Sequence, residues 1–94
     1  MRALRAKDVI AACAEWCDLE VADLTDTGYL SPLVVRSRRL ACLVLYADHR
    51  SHNEIARIIG YANRGSVWHL IDSASGEDIL DAKKIETALR VGGS

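Results

Sequence analysis

The chain has 94 residues, half of them hydrophobic, with two Trp, three Tyr, no Phe and a formal net charge of −1. That length supports one domain with a single modest core of aliphatic and alanine side chains, and not two. No apolar run is long enough to span a bilayer, no secretory signal is visible, and three cysteines without a Cys-x-x-Cys pair fit a reducing compartment, so a cytoplasmic chain with no membrane partner is the expectation.

Residues 4–17 read as a first helix, with Val9, Ala12, Cys13 and Trp16 on one stripe and Asp8 and Glu15 marking it as amphipathic. Asp18 to Asp26 is a short connection in which Val21-Ala22-Asp23-Leu24 can make one helical turn and plug Leu19, Val21 and Leu24 into the core. Thr25 to Leu30 is a polar loop with Gly28 as its bend. Ser31-Pro32 is a helix start, a capping serine followed by proline at the first helical position. The helix it opens, about residues 32–48, is apolar nearly all round, which marks a central element. Its charged part, Arg36, Arg38 and Arg39, lies near the N-terminal end, against the helix dipole, so these arginines serve something outside their own helix.

Residues 51–71 carry the organising pattern: helix, tight turn, helix. Ser51 and Glu54 have capping-box spacing, Ile55, Ile58 and Ile59 form an apolar stripe, and Gly60 is placed to end the helix in the left-handed conformation. Asn63 can cap the next helix, in which Val67, Leu70, Ile71 and Ala74 share a face. Ser75-Gly76 breaks the pattern, and a last helix over about 77–90 starts with Glu77 and Asp78 and turns Ile79, Ala82, Ile85 and Leu89 inward. Residues 1–91 are read as the domain; the Gly92-Gly93-Ser94 end is linker-like, the edge of a longer protein or an appended tail. There is no internal repeat and no convincing strand, so the fold class expected is all-α, a helical bundle containing a helix-turn-helix.

Charge is segregated along this plan. Residues 33–71 hold six arginines (Arg36, Arg38, Arg39, Arg50, Arg57, Arg64) against Asp48 and Glu54, an excess of +4, while the rest of the chain carries −5. Phosphates respond to a local patch rather than to the total. Clustering on a solvated face is the plainer alternative.

Four segments, in order and at matching spacing, resemble the C-terminal DNA-binding domain (domain IV) of the bacterial replication initiator DnaA, in the Trp-repressor-like superfamily. They are Ala14-Glu15-Trp16-Cys17-Asp18-Leu19-Glu20-Val21-Ala22-Asp23-Leu24, Val35-Arg36-Ser37-Arg38-Arg39-Leu40-Ala41, Glu54-Ile55-Ala56-Arg57-Ile58-Ile59-Gly60 and Ser66-Val67-Trp68-His69. The resemblance covers about residues 9–89 and implies a duplex-DNA-binding fold. It departs at the family's signature turn: the aspartate and histidine that read bases are here Asn63 and Arg64, and Gly65 stands for the first of two threonines. The basic loop before the long helix is replaced by Thr25-Asp26-Thr27-Gly28-Tyr29-Leu30. The motor domain of the initiator is absent. Similar domains are found in transcription regulators, including activators of phage-like gene transfer agents, where this one would serve as the DNA-binding module and meet RNA polymerase or another module through a longer chain.

The site expected is therefore a DNA-binding face. Arg64, Ser66 and His69, with Asn63 at the helix start, are the major-groove candidates, because the first turns of the second helix meet base edges and arginine can grip guanine with both arms. The resemblance assigns Arg38 to the minor groove, where a narrow groove concentrates negative potential. Arg36 and Arg39 are read as phosphate contacts, and Arg57, with Arg50, His52 and Asn53, as a phosphate clamp beside the first helix of the motif. Trp68 either touches a thymine methyl or sugar, or seals the edge of the core as large aromatics usually do. Cys13 and Cys17 are four apart and His49 and His52 three apart, but the pairs fall on separate elements with no linking motif, so buried thiols and exposed histidines are the better reading than a zinc site. No nucleophile-base pair and no phosphate-cradling glycine loop is visible; neither an enzyme nor a cofactor is implied. The alternatives are a replication-control protein related to the initiator and a protein-interaction domain that has lost DNA binding.

Overall fold

The helix that starts at Ser31-Pro32 is the axis of the molecule. In the computed structural model, which describes residues 3–26, 28 and 31–92, Ser31 Oγ accepts a bond from the Val34 amide at 3.2 Å and opens α3, Pro32–Ala47. Val34, Leu40, Ala41, Cys42, Val44 and Leu45 of α3 are buried on several sides, because α1 (Ala6–Trp16), α2 (Val21–Thr25), α4 (His52–Ile59), α5 (Arg64–Asp72) and α6 (Gly76–Gly92) all pack against it. One apolar cluster takes side chains from all six: Val9 and Cys13, Leu24, Leu40 and Leu45, Ile55 and Ile59, Val67 and Leu70, Ala82 and Ile85. The protein is an all-α bundle, with no strand among the described residues.

Three of the helices end the same way. Leu19 donates its amide to Ala14, Arg50 to Leu45 and Tyr61 to Ala56, each reaching back five residues, while Asp18, His49 and Gly60 take φ of 58°, 66° and 104°. This is the left-handed closing turn that recovers orphaned carbonyls. Only Gly60 advertises it by residue type; Asp and His tolerate the conformation less readily than glycine but better than most.

Several expected boundaries shift. The first helix begins at Ala6 rather than residue 4, because Leu4 is pinned elsewhere: its amide donates to Asp48 Oδ2 at 3.1 Å and its carbonyl accepts from Arg50 Nη2 at 2.7 Å. The turn at 21–24 is helical and buries Leu24, but Val21 is exposed. Within the expected 25–30 loop, Thr25 belongs to α2 and the Gly28 amide bonds Asp26 Oδ1 at 3.1 Å; Thr27, Tyr29 and Leu30 lie outside the described residues, as do Gly93 and Ser94 of the expected tail. The last helix runs through Val91 to Gly92, two residues past its expected end, and Arg90 Nη2 pairs with Glu86 at 2.9 Å and with Asp48 at 3.2 Å. Ile79, expected to face inward, is exposed; the buried line of α6 is Asp78, Ala82 and Ile85.

Candidate nucleic-acid interface

The helix-turn-helix is built from its caps. Ser51 Oγ accepts the Glu54 amide at 3.1 Å and starts α4. The Glu54 carboxylate turns to Arg50 at 2.6 Å. Gly60 closes α4 in the left-handed conformation. Asn63, fully extended, caps α5: its Oδ1 accepts the Gly65 amide at 2.9 Å. Gly65 lets that cap sit close, since a Cβ there would stand 2.9 Å from Asn63 Oδ1.

Val67 and Leu70 turn α5 inward, which leaves Asn63, Arg64, Gly65, Trp68, His69 and Asp72 lining one shallow open surface on its outer side. Asn63, Arg64 and His69 are exposed there and Ser66 is half-buried. Arg57 is exposed on α4. Neither Arg57 nor Arg64 enters an ion pair among the described residues. Asp72 puts a negative charge at the far end of the stripe, away from the positive dipole end at the start of α5.

The other arginines go elsewhere, and this corrects the expected patch. Arg38 is 0% exposed. Its Nε donates to the Leu24 carbonyl at 2.8 Å and its Nη2 to the carbonyls of Asp26 and, at 3.5 Å, Asp23. These are the carbonyls that the end of α2 leaves without intrahelical donors, and the helix dipole makes that end negative. The guanidinium carbon also sits 5.9 Å from the centre of the Tyr61 ring. Enclosed in this way, Arg38 has no surface with which to enter a groove. Arg39 closes the end of α5, donating from Nε to the Leu70 carbonyl and from Nη2 to Ser73 Oγ, both at 3.2 Å, with Nη1 3.7 Å from Asp78. Arg36 reaches Asp78 at 3.2 Å and also Asp81, clipping the start of α6. The three arginines do serve something outside α3, as their position against its dipole implies, but what they serve is the ends of α2, α5 and α6. The expected face shared by this cluster and the start of α5 therefore does not exist. Arg50 is likewise taken up, by the Leu4 carbonyl, Glu54 and Asp48.

Asp78 is the shared anchor. It forms a reciprocal capping box with Ser75, each accepting the other's amide at 3.1 Å, as well as the two arginine contacts. Burial alone would raise its carboxyl; the Ser75 amide and hydroxyl and then Arg39 and Arg36 outweigh it and hold the group below its ordinary value.

Of the two places the sequence leaves open to Trp68, the structure excludes the core edge. The side chain does not seal the core but stands 57% exposed. Its ring stacks on His52 with centroids 5.4 Å apart and planes at 9°, and His52 touches Tyr46 at 5.0 Å. His52 is thus committed to an aromatic ladder, and Asn53 beside it is exposed. The pairing joins residues 6 and 16 positions apart on three helices, and no local spacing signals it.

Cys13, Cys17 and Cys42 are buried free thiols, and burial pushes Cys13 and Cys42 up to about 12. Among the described residues no three His, Cys, Asp or Glu side chains converge as a metal site would require, and no helix is long and apolar enough to cross a membrane. No protein-family model, curated protein or solved structure matches the chain.

Proposed function

We propose that this chain binds duplex DNA through α4 and α5 as the DNA-binding domain of a transcription regulator. One observation carries the reading: an asparagine-capped helix start presents Arg64 and His69, with Arg57 on the preceding helix, as exposed polar groups that the fold does not use. The start of such a helix, at its positive dipole end, suits a phosphate-lined groove. The DnaA-like order of segments adds support, and the regulatory role rests on that resemblance alone. With Arg36, Arg38 and Arg39 absorbed, docking depends on Arg57 and Arg64, so binding by one copy is weak and the salt slope small, about −2 if each neutralises one phosphate. A second module, or contact with RNA polymerase through a longer chain, would supply the remaining affinity. Replication control is the companion reading within the same DNA-binding class.

The rival class is a protein-interaction domain, and two observations favour it: the internal use of the arginines and the exposure of Tyr46 and Trp68. Fluorescence anisotropy with random duplexes at low salt separates the classes. Binding that weakens in Arg57→Ala and Arg64→Ala supports the DNA reading. A folded chain that leaves duplex unbound, or binding indifferent to both substitutions, overturns it.

A further inference from the structure

We infer that Trp68 is a specificity-determining residue that reads the C5-methyl group of a pyrimidine in the major groove. This rests on the DNA-binding reading above and deepens it.

Trp68 follows Arg64 by four residues, so the two stand one above the other on the outer face of α5, and both line the same open surface as His69. A Trp this exposed on a helix would ordinarily sample several rotamers. Here the His52 ring covers one face of the indole in near-parallel contact, and His52 is itself backed by Tyr46 from the end of α3. Three helices thus hold a flat apolar wall at the place where the reading helix would meet base edges. Apart from Gly65, the rest of the stripe is polar or charged: Asn63, Arg64, His69, Asp72. The major-groove edge of a base pair offers one apolar feature, the C5-methyl, present on thymine and on 5-methylcytosine and absent from uracil and cytosine. A rigid apolar wall among hydrogen-bonding groups suits that feature, and because it is already ordered, little freedom is lost on contact. His52 is the positioning residue; it acts by fixing the indole.

The test uses the whole chain. Duplexes enriched from a random pool are remade with each thymine replaced in turn by deoxyuracil, and in parallel with each cytosine replaced by 5-methylcytosine. At one position the methyl should change affinity about fourfold, the effect of burying one such group. A change at thymine alone assigns the contact to thymine; a gain with 5-methylcytosine assigns it to the methylated base. The ratio of methylated to unmethylated binding should fall to one in Trp68→Ala and shrink in His52→Ala. It should persist in Arg64→Ala, although that variant binds more weakly overall. Trp68→Gln gives the same collapse should the alanine variant not fold. A ratio of one at every position in the unsubstituted chain, or a ratio that survives loss of the indole, overturns the inference and leaves DNA binding standing. Failure to enrich any duplex overturns both.

Discussion

Arg36, Arg38 and Arg39 on α3, and Arg57 and Arg64 on α4 and α5, are one kind of side chain in two settings. The first group is surrounded by acceptors of its own chain: the terminal carbonyls of α2 and α5 and the Asp78 and Asp81 carboxylates at the start of α6. The second has none among the described residues and faces water. A count of positive charge in the sequence treats the two alike. The difference is where helix ends fall, because every helix leaves four carbonyls that need donors, and a guanidinium with five N–H groups is well suited to supply them. The arginines of the central helix are structural clamps, and of the six arginines in residues 33–71 only Arg57 and Arg64 have a guanidinium with no ion pair or hydrogen bond among the described residues.

The comparison is broken most sharply at Arg38. Replacing it with alanine empties a fully buried site and strips donors from three main-chain carbonyls, so a loss of about 3–5 kcal/mol is expected. That is a large part of the 5–15 kcal/mol typical of a whole domain. Urea denaturation followed by circular dichroism should show a midpoint lowered by a corresponding amount. Arg38→Lys should recover little, since a single ammonium cannot span the same acceptors. An Arg38→Ala variant as stable as the parent would return that side chain to the list of groups free for DNA.

Asp78→Asn sharpens the same contrast at lower cost. It weakens the contacts to Arg36 and Arg39 but can keep part of the Ser75 cap, so about 1–3 kcal/mol is expected. The pH dependence follows from the direction of its shift. A carboxyl held below its ordinary value of 3.8 contributes its stability in full above that value and loses it as pH falls through the lower folded value. Acid denaturation curves should therefore drop more steeply below about pH 4 in the parent than in the Asn variant. Parallel curves would mean that the ion pairs to α6 do not distinguish the clamp from the surface arginines.

Much of this architecture is legible in the sequence where the signal is local. Ser31-Pro32, Gly60 and Asn63 mark their helix ends by chemistry that operates within a few residues, and each acts as its type predicts. The distant relations are not. Arg38 finds its acceptors in the backbone of residues 23–26, which carries no side-chain signature. Trp68 finds its stacking partner on another helix. Asp78, not the more apolar Ile79, takes the inward line of α6 because two guanidinium groups wait there. In each case a tertiary partner overrides what the residue's polarity suggests.

At the start of α5 a moderate effect is expected. Asn63→Ala removes the cap on the Gly65 amide and should cost about 1 kcal/mol. Gly65→Ala attacks the same point from the other side, since its Cβ would press on Asn63 Oδ1. Both variants should melt earlier in thermal denaturation and, on the proposed DNA-binding function, both should weaken duplex binding, because the cap sets the direction of α5. Loss of stability without loss of binding would detach the helix start from recognition.

The smallest expected effect on stability is the most informative. Arg57→Ala and Arg64→Ala remove no ion pair among the described residues, so each should shift the unfolding free energy by no more than about 0.5 kcal/mol. The same substitutions should each lower the slope of log affinity against log salt by about one, if each arginine meets a phosphate. If Arg64 instead grips a guanine, its loss should relax preference at one position of the selected duplexes by about 1–3 kcal/mol. Stability and binding thus respond in opposite patterns to the two sets of arginines. Arg38→Ala destabilises the chain through helix ends, and Arg64→Ala leaves the fold intact while removing a group available to bind. A surface pair whose loss destabilised the fold as Arg38 does would dissolve the distinction between the two.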